Sequence, residues 1–231
     1  MPWLPQQTEF SPVNDKESAA HKKYLLLGQL AGVAKGNEII AEHDPKTGLL
    51  QYPKFKKQAQ ERINAGPVPN DRKHPRRPDM FSLIIADLDD FKSLNKLLGY
   101  EETDAMALIP TAKIIGKYSK RLGDVIGINE QGEHGNAARF GGEEFVLLLE
   151  GTDQIGATVV AGRIRSEVNQ LSFAAHDGVT RLGVSMGVVS FPTGSSYDQA
   201  FKVANKALDQ AKDIQGKNQV VMLPFSAELP V

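Results

Sequence analysis

Two acid-bearing stretches hold the residues through which this chain could do chemistry. In Phe81-Ser-Leu-Ile-Ile-Ala-Asp-Leu-Asp-Asp-Phe-Lys-Ser-Leu-Asn95, an apolar run ends in three acids within four positions: Asp87, Asp89 and Asp90. Carboxylates at the end of an apolar strand, with a helix following, are a common seat for Mg²⁺ in phosphoryl transfer, because hard oxygen donors suit that ion. In Ala138-Arg-Phe-Gly-Gly-Glu-Glu-Phe-Val-Leu-Leu-Leu-Glu150, two adjacent carboxylates, Glu143 and Glu144, follow Gly141-Gly142. Bare glycine backbone lets phosphates come close, and an acid beside it can hold the ion. Read alone, this second stretch is equally an ordinary polar turn.

These residues need elements to position them. The second stretch reads as a β-hairpin: two short apolar runs flank the diglycine, whose tight turn calls for φ > 0 at its tip. Successive strand side chains point to opposite faces, so at most one of Glu143 and Glu144 sits squarely in a given site. The first stretch reads as a buried strand ending at Asp87, with Asp89 a helix cap and Asp90 a solvated residue. The helix after it has Leu94, Leu97 and Leu98 as its apolar face and breaks at Gly99-Tyr100. A longer helix is expected over residues 104–120, with Asp104 at an N-cap position and Pro110 early enough to kink it.

Downstream of the hairpin, Ile155, Val159, Val160, Ile164, Val168 and Leu171 step along one helical face as core. A strand over residues 180–191, a helix over 196–215 and a strand over 218–223 complete the pattern. Upstream, residues 1–14 read as a disordered leader. Tyr24, Leu27, Leu30, Ala31 and Ala34 give residues 15–40 a helical spacing that Gly28, Gly32 and Gly36 weaken. A helix over 53–65 starts on Pro53. The Pro-rich basic loop at 66–78 (Arg72, Lys73, Arg76, Arg77) reads as solvated surface. The order β-α-α-β-β-α-β-α-β reads as α+β: a ferredoxin-like palm with a largely antiparallel central sheet and helices packed on one face.

Composition narrows the function classes. The chain of 231 residues is 41% hydrophobic, enough for a proper core, and its formal net charge of -1 offers no global basic field for a nucleic-acid polymer. It has no cysteine, which removes disulfides, thiol nucleophiles and Cys-ligated zinc and agrees with a reducing cytoplasm. The 5 histidines are scattered without metal-ligand spacing. No apolar run approaches the ~20 residues needed to span a membrane, and the first residues lack the apolar core of a signal peptide.

Together the two stretches resemble the GGDEF family of diguanylate cyclases, in the GGEEF form. The family order is D-x-D-x-F-K-x-x-N, a G-D pair, then R-[YF]-G-G-[DE]-E-F. The resemblance covers about residues 43–222. His43-Asp-Pro-Lys-Thr-Gly-Leu49 is similar to the opening motif D-x-L-T-G-L, with Lys46 in place of its Leu, and Gln51-Tyr52-Pro53 stands where N-R-R normally follows. Ser185-Met-Gly-Val188 resembles S-x-G-V. Lys212 and Lys217 resemble the lysines of A-K-x-x-G-[RK]-N, with one extra residue before Gly216. The division implied is a leader and N-terminal helix over 1–42 and the catalytic domain over 43–231.

What the resemblance implies is the joining of two GTP molecules into cyclic di-GMP, each ribose 3′-hydroxyl attacking the other's α-phosphate, with loss of two pyrophosphates. Asp87, the Leu88 carbonyl and Glu143 match the family's metal ligands, for Mg²⁺ or Mn²⁺. Glu143 also matches the proton acceptor, with Glu144 in support and Lys92 offsetting charge. Asn95 and Asp104, nine apart as in the family, would read guanine; Phe91, Gly141, Gly142, Lys212 and Lys217 complete the substrate-binding set. A carboxylate at 104 accepts from guanine N1–H and the 2-amino group, donors that adenine lacks on that edge. Lys96, Tyr100 and Thr103 replace the family's usual Asp, His and Gly.

Arg121-Leu-Gly-Asp124 matches the R-x-x-D of an inhibitory product site. Residues 125–138 separate it from Arg139, so it reads equally as a helix C-terminus and turn pair. Each chain would hold one GTP, which implies a homodimer. An upstream sensor or regulatory protein would supply the signal, in the cytoplasm of a bacterium and with no membrane contact. The competing reading is a catalytically silent module that binds GTP or a protein partner. A third is another palm-fold nucleotidyl cyclase or polymerase-like enzyme.

Overall fold

Met80–Leu88 (β2) is apolar at nearly every position, and a strand with that pattern must be covered on both faces. The computed structural model describes residues 42–65, 79–119, 136–175 and 178–226. The leader and helix expected before residue 42, the basic loop at 66–78, Arg121, Asp124 and residues 125–135 of the insertion lie outside them. Around β2 stand Leu50–Gln51 (β1), Ala137–Arg139 (β3), Glu144–Glu150 (β4), Val184–Pro192 (β7) and Val220–Met222 (β8). Among the described residues these make a sheet in the order β1-β3-β4-β2-β7-β8. Both neighbours of β2 are antiparallel to it, as are β3 and β4; only the edge pairs β1/β3 and β7/β8 are parallel. Ser172–Ala175 (β5) and Gly178–Arg181 (β6) form a separate hairpin.

Helices cover both faces of the sheet, not the one face expected. Ile84, Ala86 and Leu88 point toward Phe91–Leu98 (α2), Ile109–Ser119 (α4) and Gln154–Val168 (α5). The alternate residues Phe81, Leu83 and Ile85 pack against Tyr52–Asn64 (α1) and Tyr197–Asp213 (α6). Caps fix where the long helices start: Asp153 accepts from the Gly156 N–H at 2.8 Å, and the Ser196 hydroxyl from the Gln199 N–H at 3.4 Å. No helix among the described residues is long and apolar enough to cross a membrane.

Several expected details change. On α5 the buried stripe is Ala157, Val160, Ala161, Ile164 and Val168, while Ile155 is 76% exposed and Val159 47%. Leu97 of α2 is 45% exposed, and Phe91 takes its place in the core. The single strand expected over 180–191 is two, broken at Leu182-Gly183, whose backbone bonds elsewhere: Leu182 N–H to Leu171 and Gly183 C=O from Asp89 N–H. The helix expected over 104–120 begins earlier, as Tyr100–Thr103 (α3). It then passes through a π-helical turn, Asp104–Leu108, before α4. Pro110, without an N–H to donate, is the second residue after that turn.

Candidate active site

Cross-strand register decides which acid faces Asp87. In the β2/β4 ladder Asp87 pairs with Glu144, so these two side chains share a face. Glu143 lies in the turn before β4, and its carbonyl accepts from the Leu88 N–H at 3.2 Å. Strand alternation therefore sets the direction of Glu144 but not of Glu143. Lys212, near the end of α6, places its ammonium 2.7 Å from Asp87 Oδ2. Burial, the facing Asp87 charge and then Glu143 push the Glu144 carboxyl above the usual range, with Lys212 opposing. Two facing carboxylates with one cation, paired to Asp87, leave an excess of negative charge. A divalent ion fits that excess.

Among the described residues no group of three or more metal-binding side chains occurs. An ion held here would complete its shell from backbone oxygen, water and substrate phosphate, as Mg²⁺ habitually does.

The diglycine turn has a different reason for its glycines than the one expected. Neither Gly141 nor Gly142 has a positive φ. Four residues, not two, separate β3 from β4, so the mirror-image turn is unnecessary. Gly141 is instead a matter of space: a Cβ there would lie 2.1 Å from Glu144 Oε2 and 3.1 Å from its Cδ. At Gly142 a Cβ would meet nothing within 4 Å. Gly141→Ala is therefore expected to swing Glu144 off Asp87 and lower turnover by about one to two orders of magnitude, with Gly142→Ala leaving the fold unchanged. Steady-state assays and thermal melts of the two variants check this.

Arg139 braces the turn from outside. Its guanidinium donates to the Gly142 carbonyl at 2.7 and 3.2 Å and to both Asp44 oxygens at 3.2 and 3.1 Å. Asp44 also accepts from Thr47 N–H and hydroxyl at 2.8 and 2.7 Å. Burial raises the Asp44 carboxyl, but the Thr47 bonds and Arg139 outweigh it and hold it below the ordinary value. A lowered carboxyl stabilises above its unfolded pKa and loses that contribution as pH falls through the folded value. Asp44→Ala is expected to cost about 2 kcal/mol at neutral pH, a gap from wild type that closes below about pH 4. Urea unfolding across pH reads it out.

The remaining candidates occupy separate places. Asn95 is half-buried on α2, and its Oδ1 has no hydrogen-bond partner, an acceptor that calls for an explanation. Asp104 starts the π turn and is not the N-cap expected; its carboxylate pairs with Lys46. Lys92 is exposed, and Phe91 is buried in the core under the acids' strand end. Lys217 is drawn 2.7 Å from Asp90 Oδ1 rather than toward Asp87. Asp89 is no helix cap: it accepts from the Ser185 hydroxyl and the Asn218 N–H, both at 2.8 Å, while Asp90 holds the N-cap position with φ 54°. Among departures from the motif, Tyr100 is 78% exposed, and Thr103 is buried with its hydroxyl on the Gly99 carbonyl at 2.7 Å. The structure thus sets Glu144 opposite Asp87 in the ladder and joins Lys212 to Asp87 by an ion pair. Asn95 and Asp104 stand apart from them, on helices of the other sheet face. Sequence reading missed Arg139 and Asp44 as partners; an Arg just before a diglycine and an Asp three before a Thr are weak signals of such a brace.

Residues 41–219 match the family described as "Diguanylate cyclase, GGDEF domain". Diguanylate cyclase DgcM of Escherichia coli is 32% identical over 184 residues, covering 80% of this chain and 39% of that protein. The chain thus spans well under half of that relative's length. The coiled coil and GGDEF domain of DgcB from Caulobacter crescentus, solved in complex with c-di-GMP, superposes with TM-score 0.69 at 19% identity, over 91% of this chain and 100% of that one. Diguanylate cyclase SiaD from Pseudomonas aeruginosa, solved with its activator SiaC, gives TM-score 0.61 at 23% identity, over 90% and 72%. At these identities the two structures are alike in fold.

Proposed function

Because the chain belongs to the GGDEF domain family of diguanylate cyclases, we propose that it condenses two GTP molecules into cyclic di-GMP, releasing two pyrophosphates. One observation carries this reading: Asp87 and Glu144 stand opposite each other in the ladder, beside a diglycine turn, with Lys212 on Asp87. Asp87, the Leu88 carbonyl and the Glu143–Glu144 pair would hold Mg²⁺ or Mn²⁺. When bound, the ion neutralises charge developing on the α-phosphate.

The protein's own groups divide the remaining work. Gly141 and Gly142 admit the phosphates. Lys212 and Lys92, with Lys217, would offset triphosphate charge, Lys212 from its place beside Asp87. Glu143, nearest the turn and outside the ladder, receives the proton of the attacking 3′-hydroxyl. Phe91 anchors the start of α2, and Asn95 and Asp104 bind the guanine; the partnerless Asn95 Oδ1 supports that assignment. A reaction between two nucleotides held on separate chains requires a homodimer. The setting is the cytoplasm, where GTP is, with an upstream sensor or regulatory partner setting the rate.

Purified protein given GTP and Mg²⁺ is expected to form cyclic di-GMP and pyrophosphate, separable by ion-exchange chromatography, and to stop when EDTA is added. GTP binding with no product would overturn the enzymatic reading in favour of a silent binding module.

A further inference from the structure

Lys46 stands where the family's opening motif has an uncharged leucine, and its ammonium is ion-paired to Asp104 Oδ2 across 58 positions of chain. The turn that carries it is closely tied. Gly48 N–H donates to Asp44 C=O and Asp44 N–H to Leu49 C=O, both at 2.8 Å, and Gly48 has φ 72°, a backbone that glycine accepts without strain. The Asp44 side chain holds Thr47 from within the turn and Arg139 from outside it. Arg139 in turn holds the Gly142 carbonyl. One short turn therefore joins Asp104, on the helical side, to the diglycine turn at the acids.

The ion pair uses Oδ2, and Oδ1 accepts no hydrogen bond from a described residue. A carboxylate has about four acceptor sites. Lys46 can keep one while Oδ1 and the second lone pair of Oδ2 accept guanine N1–H and the 2-amino group.

We propose that Lys46 is a positioning residue for guanine recognition: it holds the Asp104 carboxylate in a fixed orientation from a turn anchored to the diglycine hairpin. This rests on the reading of Asp104 as the acid that binds the base. Lys46 is 55% exposed, so the effect is that of a partly screened pair.

The probe is 3′-deoxy-GTP with Mg²⁺, which lacks the attacking hydroxyl and so reports binding without turnover, set against 3′-deoxy-ATP in calorimetric titrations. Lys46→Leu is expected to weaken 3′-deoxy-GTP binding about three- to fivefold and leave 3′-deoxy-ATP binding unchanged. Lys46→Arg should restore affinity to within about twofold, and high salt should narrow the gap between wild type and Lys46→Leu. Equal or tighter binding of 3′-deoxy-GTP by Lys46→Leu overturns the proposal, provided that Asp104→Asn loses the preference for guanine. If wild type binds 3′-deoxy-GTP but Asp104→Asn keeps its preference, the assignment of Asp104 fails and Lys46 falls with it. If wild type does not bind 3′-deoxy-GTP, the proposed function fails as well.

Discussion

Glu144→Gln is expected to lower cyclic di-GMP formation by about 10³-fold while leaving the metal-free protein at least as stable as wild type. The loss follows from the ladder: Glu144 is the acid set opposite Asp87, and a ligand to a charge-neutralising ion is worth several kcal/mol in the transition state. The stability follows from the crowding. Burial, Asp87 and Glu143 disfavour the ionised carboxylate, so its folded pKa is raised. A raised carboxyl leaves stability intact below its unfolded value and erodes it as pH rises through the folded one. Glutamine keeps the shape and removes the repulsion, for a Tm gain of about 1–2 °C at neutral pH that vanishes in acid. Activity within tenfold of wild type would remove Glu144 from the site. A Tm several degrees lower would make its role structural.

Gly187→Ala is expected to destabilise the fold by about 3 kcal/mol or more, by a route that also reaches the site. A Cβ at Gly187 would lie 2.0 Å from the Ala204 carbonyl oxygen, 2.4 Å from Leu208 N and 3.0 Å from Ala207 C, all backbone of α6. No side chain can rotate away to make room, so the helix itself must lift off β7. That helix carries Lys212, and a lift of α6 separates it from Asp87. The urea midpoint should fall sharply, and residual activity at low temperature should fall more than the folded fraction does. Gly162→Ala is the control: it lies inside α5 with nothing within 4 Å of a Cβ, and should stabilise by about 0.5–1 kcal/mol. An unchanged midpoint for Gly187→Ala would refute the close packing of α6 on β7.

The strand ending at Asp87, the helices on Pro53 and Ser196 and the hairpin around the diglycine were legible because each carries a local signal: an apolar run, a first-turn proline, a hydroxyl cap, paired runs about a turn. What was not legible is two-body information. Apolar residues on α5 offer two overlapping helical stripes, and only the tertiary partner selects the one with Ala157 and Ala161 over the one with Ile155 and Val159. Coverage of both sheet faces was implicit in the unbroken apolar run of β2, whose pattern does not alternate as a one-faced strand would. At the site, the acids were visible from their types, yet their pairing depends on register, which puts Glu144 rather than Glu143 against Asp87. Asp89 looked like a cap from its place before a helix. It instead joins Ser185 and Asn218, 96 and 129 positions away, which no local pattern can reveal.

The π-helical turn at Asp104–Leu108 has a consequence for how this protein can change over time. The Ile109 N–H bonds to Asp104 C=O, five residues back instead of four, so the helix carries one surplus residue there. A π turn of five residues carries the chain about as far round the axis as four α-helical residues do, so removing one of Ala105–Leu108 would give a regular helix and leave Asp104 facing nearly as before relative to the core-facing residues Ala112 and Ile115. The surplus residue is thus absorbed within one turn, and a lineage could gain or lose it without re-aiming the carboxylate or rebuilding the interior.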